Sequence, residues 1–316
     1  MRILRRSLPA ILVVLAACTS AVPSGGRTGP RAGPSGASPS VSPLPHLPSL
    51  KHVWLFVMEN HSYGEIIGKS SAPYINRLSL TYGLATRFFA RRHPSLPNYL
   101  SMIAGSAIGC ESDTCIPGYG GATLAGQLAA AHLSWAGYFE DLPQAGYTGP
   151  DAGGYVRHHN PFAYFTEVTS SAPMRNSIRP LTDFAGSLKA PPAFSMIVPN
   201  DDHNMHSGTV KAGDDWLKAY VAPVLASAAF KDGGLILITW DEANMSDTSG
   251  CCASYMRGGH VPTIVIATGG KRGFQSTVDH TTFSICSTIE DGFHLGHVRK
   301  AGSAAAGPSM GEFWAT

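Results

Sequence analysis

The stretch "KHVWLFVMENHSYGEIIG", residues 51–68, holds an apolar run from Val53 to Met58 that breaks directly into Glu59, Asn60 and His61. A run of strand length without polar alternation reads as a strand buried on both faces. A carboxylate, an amide and an imidazole at the end of such a strand need partners, because an unpaired buried charge is costly. The plainer reading is a helix cap in a solvated turn. Similar apolar runs recur at 134–139, 194–198, 235–240 and 262–267. Between them, 74–82, 97–104, 123–131, 214–229 and 281–293 carry apolar residues at helical spacing. Strands of this kind separated by helices predict an α/β fold, with a mostly parallel central sheet sandwiched between helices. In such sheets ligands gather beyond the carboxyl ends of the strands.

Those ends share a character. "FSMIVPNDDHNMHSG" (194–208) runs from an apolar strand into Asp201, Asp202, His203, Asn204 and His206. Asp202 and His206 stand four apart, a spacing that lets one turn aim both at an ion. "LILITWDEANMSD" (235–247) ends a buried run in the adjacent acids Asp241 and Glu242. His260 enters the last apolar run, and His280 precedes the final helical stretch. Any one of these fits a polar turn or a structural histidine. Together they predict that Glu59, Asn60, Asp241, Glu242 and Asp202 converge on a cation, with His260 as an alternative ligand.

"RRHPSLPNYLSMIAGS" (91–106) places Ser95 two residues before Pro97, at the start of a helical run. Serine is a good N-cap and proline suits the first turn, so Ser95 reads as a cap. The same geometry also suits a nucleophile. A helix start offers free N–H groups to a phosphate, and a bound cation activates a hydroxyl. Asn98 could then donate to a phosphoryl oxygen, and His93 could orient or protonate. Gly-x-Ser-x-Gly is absent, which argues against an α/β-hydrolase esterase.

The first segment, "MRILRRSLPAILVVLAAC", has three arginines and then an apolar run too short to span a membrane permanently, so residues 1–18 read as an export signal. Its "LAAC" ending resembles a bacterial lipobox, which predicts lipid attachment at Cys18 and a membrane partner through that anchor. Residues 19–47 are rich in Pro, Gly and Ser and read as a disordered tether; 48–316 has the size of one enzyme domain. Without the three signal arginines the formal charge of +2 becomes −1, and no basic block points to nucleic acid. Export permits disulfides, and "CESDTC" predicts a Cys110–Cys115 pair, while Cys251, Cys252 and Cys286 leave one thiol over.

Taken in order, "FVMENHSYGEIIG", "HPSLPNYLSMIAG", "RHHNPFAYF", "VPNDDHNMHSG", "GDDWLKAYVAPVL", "TWDEA" and "VDHTTFSICSTIEDGFHLG" resemble the bacterial phosphoesterase family of secreted acid phosphatases and phospholipases C. The resemblance spans nearly all of 51–298 and implies an alkaline-phosphatase-like fold. It also implies a divalent metal ion, with Mg, Ca, Mn, Zn or Fe all open, and a phosphate ester substrate. By position it implies Ser95 as nucleophile with Asn98 on the phosphate. His159, His206 and His280 fall on its active-site histidines, and Glu59, Asn60, Asp241 and Glu242 on its metal motifs. The expected activity is a phosphomonoesterase working through a phosphoserine, with a phospholipase C-type phosphodiesterase and an inactive surface lipoprotein as alternatives. Three features depart from the family pattern: Ala243-Asn244-Met245 replace glycines after the acid pair, "SDTSGCCASYMRGGH" carries adjacent cysteines, and "FHLGHV" stands where relatives often show Gly-Leu-Pro.

Overall fold

A computed structural model describes residues 47–253, 256–298 and 308–315. The export signal, the lipobox Cys18 and the tether up to residue 46 lie outside the described residues. Among the described residues ten strands form: β1 His52–Met58, β2 Gly83–Ala85, β3 Phe88–Phe89, β4 Trp135–Phe139, β5 Ile178–Pro180, β6 Phe194–Val198, β7 Gly234–Trp240, β8 Thr263–Ala267, β9 Phe274–Ser276 and β10 His280–Thr281. Eight make one sheet in the order β5-β4-β6-β1-β7-β8-β2-β9, while β3 and β10 pair separately. The five strands from β5 to β7 are mutually parallel. β8 runs antiparallel to both its neighbours, and β9 is parallel to β2.

All five apolar runs form strands because each can bury both faces; every residue of β4, β6, β7 and β8 is buried. The alternation of side chains along β1 assigns the two layers. Trp54 and Phe56 point one way, onto Phe230, Phe184 and Trp216, and Trp216 belongs to the helix Val210–Ala226. Glu59, on the opposite parity, meets Ser95 and Tyr99, so the helix Leu96–Ala104 covers the other face. That helix is buried throughout and packs against the helix Thr282–Gly292. The fold is the predicted α/β sandwich.

The reversed direction of β8 matters for the site. Thr263 pairs with Thr239, so the residues entering β8 stand beside the residues leaving β7. His260 therefore reaches the same edge of the sheet as Asp241, although one precedes its strand and the other follows. Among the described residues no helix is long and apolar enough to cross a membrane.

Candidate active site

β1 and β7 are in register at their ends, Met58 opposite Trp240, and the Asp241 N–H donates to the Met58 carbonyl at 3.0 Å. Adjacent parallel strands thus deliver Glu59 and Asp241 to one point, with Glu242 next in the chain. Glu59 and Asp241 are fully buried and Glu242 nearly so. From β6, the Asn204 carbonyl accepts the Glu59 N–H at 2.9 Å, bringing the loop after that strand to the same place.

Ser95 precedes the helix Leu96–Ala104 and makes no side-chain cap bond to it. Its hydroxyl instead donates to Oε2 of Glu59 at 3.1 Å. Tyr99, one helical turn on, donates to Oε1 of the same carboxylate at 2.7 Å. His159 is buried against this pair: its ring stacks on Tyr99 with centroids 5.3 Å apart. Its Nε2 lies 3.3 Å from Glu59 Oε1, outside hydrogen-bond geometry, and its Nδ1 lies 3.6 Å from Asp201 Oδ1.

Burial is the main force on these charges. It raises Glu59 well above the usual carboxyl range, and the neighbouring Glu242 and Asp201 add to it against the opposing bond from Tyr99. Burial likewise raises Asp241, with Glu59 and Glu242 reinforcing it. Glu242 is also raised by burial, which its bond from His93 opposes. Burial holds His159 well below the ordinary imidazole range, helped by His158 and His206, so its ring is neutral at pH 7. His93 goes the other way, raised first by its bond to Glu242. Its Nδ1 meets Glu242 Oε2 at 2.9 Å and its Nε2 meets the Asp247 carbonyl at 3.0 Å. The pairing with Glu242 favours the charged form of this ring.

Both carboxylate oxygens of Asp241 are buried without a hydrogen-bond donor. Three crowded buried acids, one of them with both oxygens orphaned, must be neutralised by protons or by a cation. The donor set, oxygen only, fits a hard divalent ion. Among the described residues, no three His, Cys, Asp or Glu side chains form a ready-made ligand set. Glu59 has both oxygens engaged by Ser95 and Tyr99, so an ion would have to share them.

The other predicted residues fall in several places. Asn60 is half-buried just past Glu59. Asp202 is exposed and turned from the group; its neighbour Asp201 is the acid that faces His159, a correction of one residue. The turn is tight enough that a Cβ on Gly208 would collide with the Asp202 carbonyl. His206 is exposed nearby, its Nδ1 3.3 Å from Ser207 Oγ. His260 is not brought into the acid group: it stacks on Tyr63 at 4.4 Å and turns Nε2 to the Thr86 carbonyl. His280 is also elsewhere, with Nε2 on Glu312 Oε1 at 2.6 Å and Nδ1 3.3 Å from the Pro308 carbonyl. Those two partners occupy both ring nitrogens and leave no atom for a substrate. Asn98 is likewise consumed, since its Nδ2 donates to the carbonyls of Arg92 and Pro94 and its Oδ1 accepts the N–H groups of Arg91 and Arg92. It holds the loop that carries His93 and Ser95 rather than facing a ligand. Cys110 and Cys115 form a disulfide, Cys251 and Cys252 another, and Cys286 is free and buried.

Two site residues escape motif reading. Tyr99 had a signal in its i+4 spacing from Ser95, which places both on one helix face. Asp201 had only its adjacency to Asp202.

The fold is alkaline-phosphatase-like, and the family and relatives it matches are those of hydrolases of phosphoric esters. The chain belongs to the Phosphoesterase family, whose model matches residues 69–296. It is 33% identical over 271 residues to a phosphatidylinositol-3-phosphatase of Mycobacterium tuberculosis, covering 85% of this chain and 84% of that one. It is 31% identical over 221 residues to a phosphate-repressible acid phosphatase of Penicillium chrysogenum, covering 67% and 52% respectively. Among solved structures, an alkaline phosphatase superfamily protein from Vibrio parahaemolyticus matches with a TM-score of 0.56 at 12% identity, covering 84% of this chain and 72% of that one.

Proposed function

We propose that the protein is a metal-dependent phosphomonoesterase that works through a phosphoserine on Ser95. One observation carries the reading: a buried serine hydroxyl, uninvolved in capping, is held at 3.1 Å from Glu59 beside two further buried acids, Asp241 and Glu242. Glu59, Asp241 and Glu242 would hold the ion, with Asn60 beside them. When bound, such an ion supplies charge neutralisation of the phosphoryl oxygens and activation of a hydroxyl.

The chain's own residues do the rest. The Ser95 Oγ attacks phosphorus as its proton passes to Glu59 Oε2, and the bond to the alcohol oxygen breaks. The departing alkoxide takes a proton from His206, exposed beside the site. Water then attacks the phosphoserine phosphorus and gives a proton to His206; the bond from phosphorus to Ser95 Oγ breaks, Oγ takes back the proton held on Glu59, and inorganic phosphate leaves. Tyr99, with the neutral His159 packed on its ring, orients the Glu59 carboxylate, and His93 holds Glu242 in place. Positioning and charge stabilisation supply the rate.

A monoester is favoured by the relative from Mycobacterium tuberculosis, which is named a phosphatidylinositol-3-phosphatase. Export, with anchoring through Cys18, completes the proposal and would bring the enzyme to a lipid surface. The test is turnover of a chromogenic phosphomonoester by Ser95→Ala with and without chelator. At least about a hundredfold loss is expected in each case, whereas wild-type turnover by Ser95→Ala removes the nucleophile. Faster hydrolysis of a phosphodiester by the wild type would move the assignment to the phospholipase C type.

A further inference from the structure

We propose that Asp113, carried on the loop closed by the Cys110–Cys115 disulfide, is a positioning residue for Ser95. The inference rests on the reading of Ser95 as nucleophile and extends it. The helix behind Ser95 runs over Leu96–Ala104 and ends at Gly105, which takes the left-handed conformation with φ 56°. A helix of this length is about 13 Å long. The chain leaves its far end at Gly105 and must return the whole way to reach its start. It does so: Asp113 Oδ1 accepts the Leu96 N–H at 2.8 Å. Leu96 is the residue directly after Ser95, so this bond fixes the peptide plane that carries the serine.

The returning loop is held at two further points. The disulfide joins Cys110 to Cys115 with Cα atoms 5.9 Å apart, closing a ring around Asp113. Glu111 pairs with Arg92 and, at 3.5 Å, with Arg91. These arginines lead into His93 and Ser95, so the loop grips the serine from both sides in sequence. Ser112 and Thr114 bond to each other across Asp113 at 2.8 Å and keep its backbone compact.

The bond has a chemical consequence. Free N–H groups at a helix start would suit a phosphate, and here the first is already taken by a carboxylate. Asp113 therefore leaves phosphate recognition to the acid-and-cation side of the site and spends the Leu96 N–H on holding the nucleophile. A neutral acceptor of the same shape serves this purpose as well as a carboxylate does.

The experiment measures kcat, KM and thermal unfolding for Asp113→Ala, Asp113→Asn, Cys110→Ser/Cys115→Ser and the triple variant. Asp113→Ala is expected to lose kcat by on the order of tenfold to a hundredfold, the scale of a misplaced reacting group, with KM little changed. Asp113→Asn keeps the acceptor oxygen and recovers most of that rate. Opening the disulfide gives a similar loss, and adding Asp113→Ala to it costs little more, because both act through one contact. Wild-type kcat in Asp113→Ala overturns the proposal. So does an equal loss in the Asn variant, or additive losses in the triple variant. If Asp113→Ala does not fold, the Asn and disulfide variants carry the test through the rescue and the kcat–KM split. Should Ser95→Ala retain turnover, the nucleophile reading fails; should Ser95→Ala be inactive while Asp113→Ala is normal, only this inference fails.

Discussion

Tyr99 and Ser95 divide one carboxylate between them: Glu59 takes the tyrosine hydroxyl on Oε1 at 2.7 Å and the serine hydroxyl on Oε2 at 3.1 Å. Glu59 is thereby fixed in rotation, with the oxygen that faces the serine chosen by the tyrosine. Tyr99→Phe keeps the ring and its stack on His159 but removes that choice. The variant is expected to lose kcat by about tenfold and stability by about 1–3 kcal/mol, since a buried carboxylate oxygen loses its donor. Steady-state kinetics and chemical denaturation check both numbers.

Asp241 has two buried oxygens with no donor at full hydrogen-bond geometry, although Ser95 and the Glu242 N–H lie near, and two further acids crowd it. Replacing it by Asn removes one charge from a repelling group. In chelator, Asp241→Asn is expected to melt above the wild type. Added divalent cation should raise the wild-type melting temperature and move the variant far less, because ligand binding to the native state stabilises it in proportion to affinity. The variant should be almost inactive. Melting curves with a series of divalent ions also rank the metals.

Asn98 spends its amide on four backbone groups of the loop at 91–94. Asn98→Ala strips all four at once in a buried setting. A loss of about 2–4 kcal/mol is expected from the unsatisfied groups. Activity should fall through kcat, as Ser95 and His93 lose their support. Unchanged stability with raised KM alone would return Asn98 to the substrate.

Glu290 supplies a pH dependence away from the acid group. Burial lifts its carboxyl from 4.5 to about 7, against the opposing bond from the Val298 N–H. The folded chain therefore binds a proton here that the unfolded chain has released between those values. Stability is highest at the acid end of this window and declines as pH rises through about 7, then levels off. Glu290→Gln is expected to flatten that decline. Denaturation midpoints from pH 5 to 8 measure it, and an unchanged slope in the variant would assign the pH dependence to other groups.

Much of this was legible in the chain alone. The five apolar runs became β1, β4, β6, β7 and β8 within a residue or so, because burial on both faces leaves a local signature. Four of the five helical stretches formed within a residue or so for the same kind of reason, while 214–229 became a helix over Val210–Ala226 that breaks at Ser227 before a short one over Ala228–Lys231. Glu59, Asp241 and Ser95 could be selected because strand ends and helix starts are local landmarks, and a parallel sheet gathers its strand ends on one edge. The short strands β2, β5 and β9 were not visible: runs of three residues carry no period, and only their neighbours make them strands.

The choice among neighbouring polar residues belonged to the tertiary structure. Nothing local separates Asp201 from Asp202; the turn after β6 does, by facing one toward His159 and the other toward water. His280 read as an active-site histidine and His260 as an alternative metal ligand, and Glu312 and Tyr63, distant in the chain, hold their rings elsewhere. Asp113 acquired a role only because its loop returns along a helix to meet Leu96. Periodicity and capping act over a few residues and are written in order along the chain. The hydrogen-bond partner of a given side chain is set by segments that meet only when the sheet has closed.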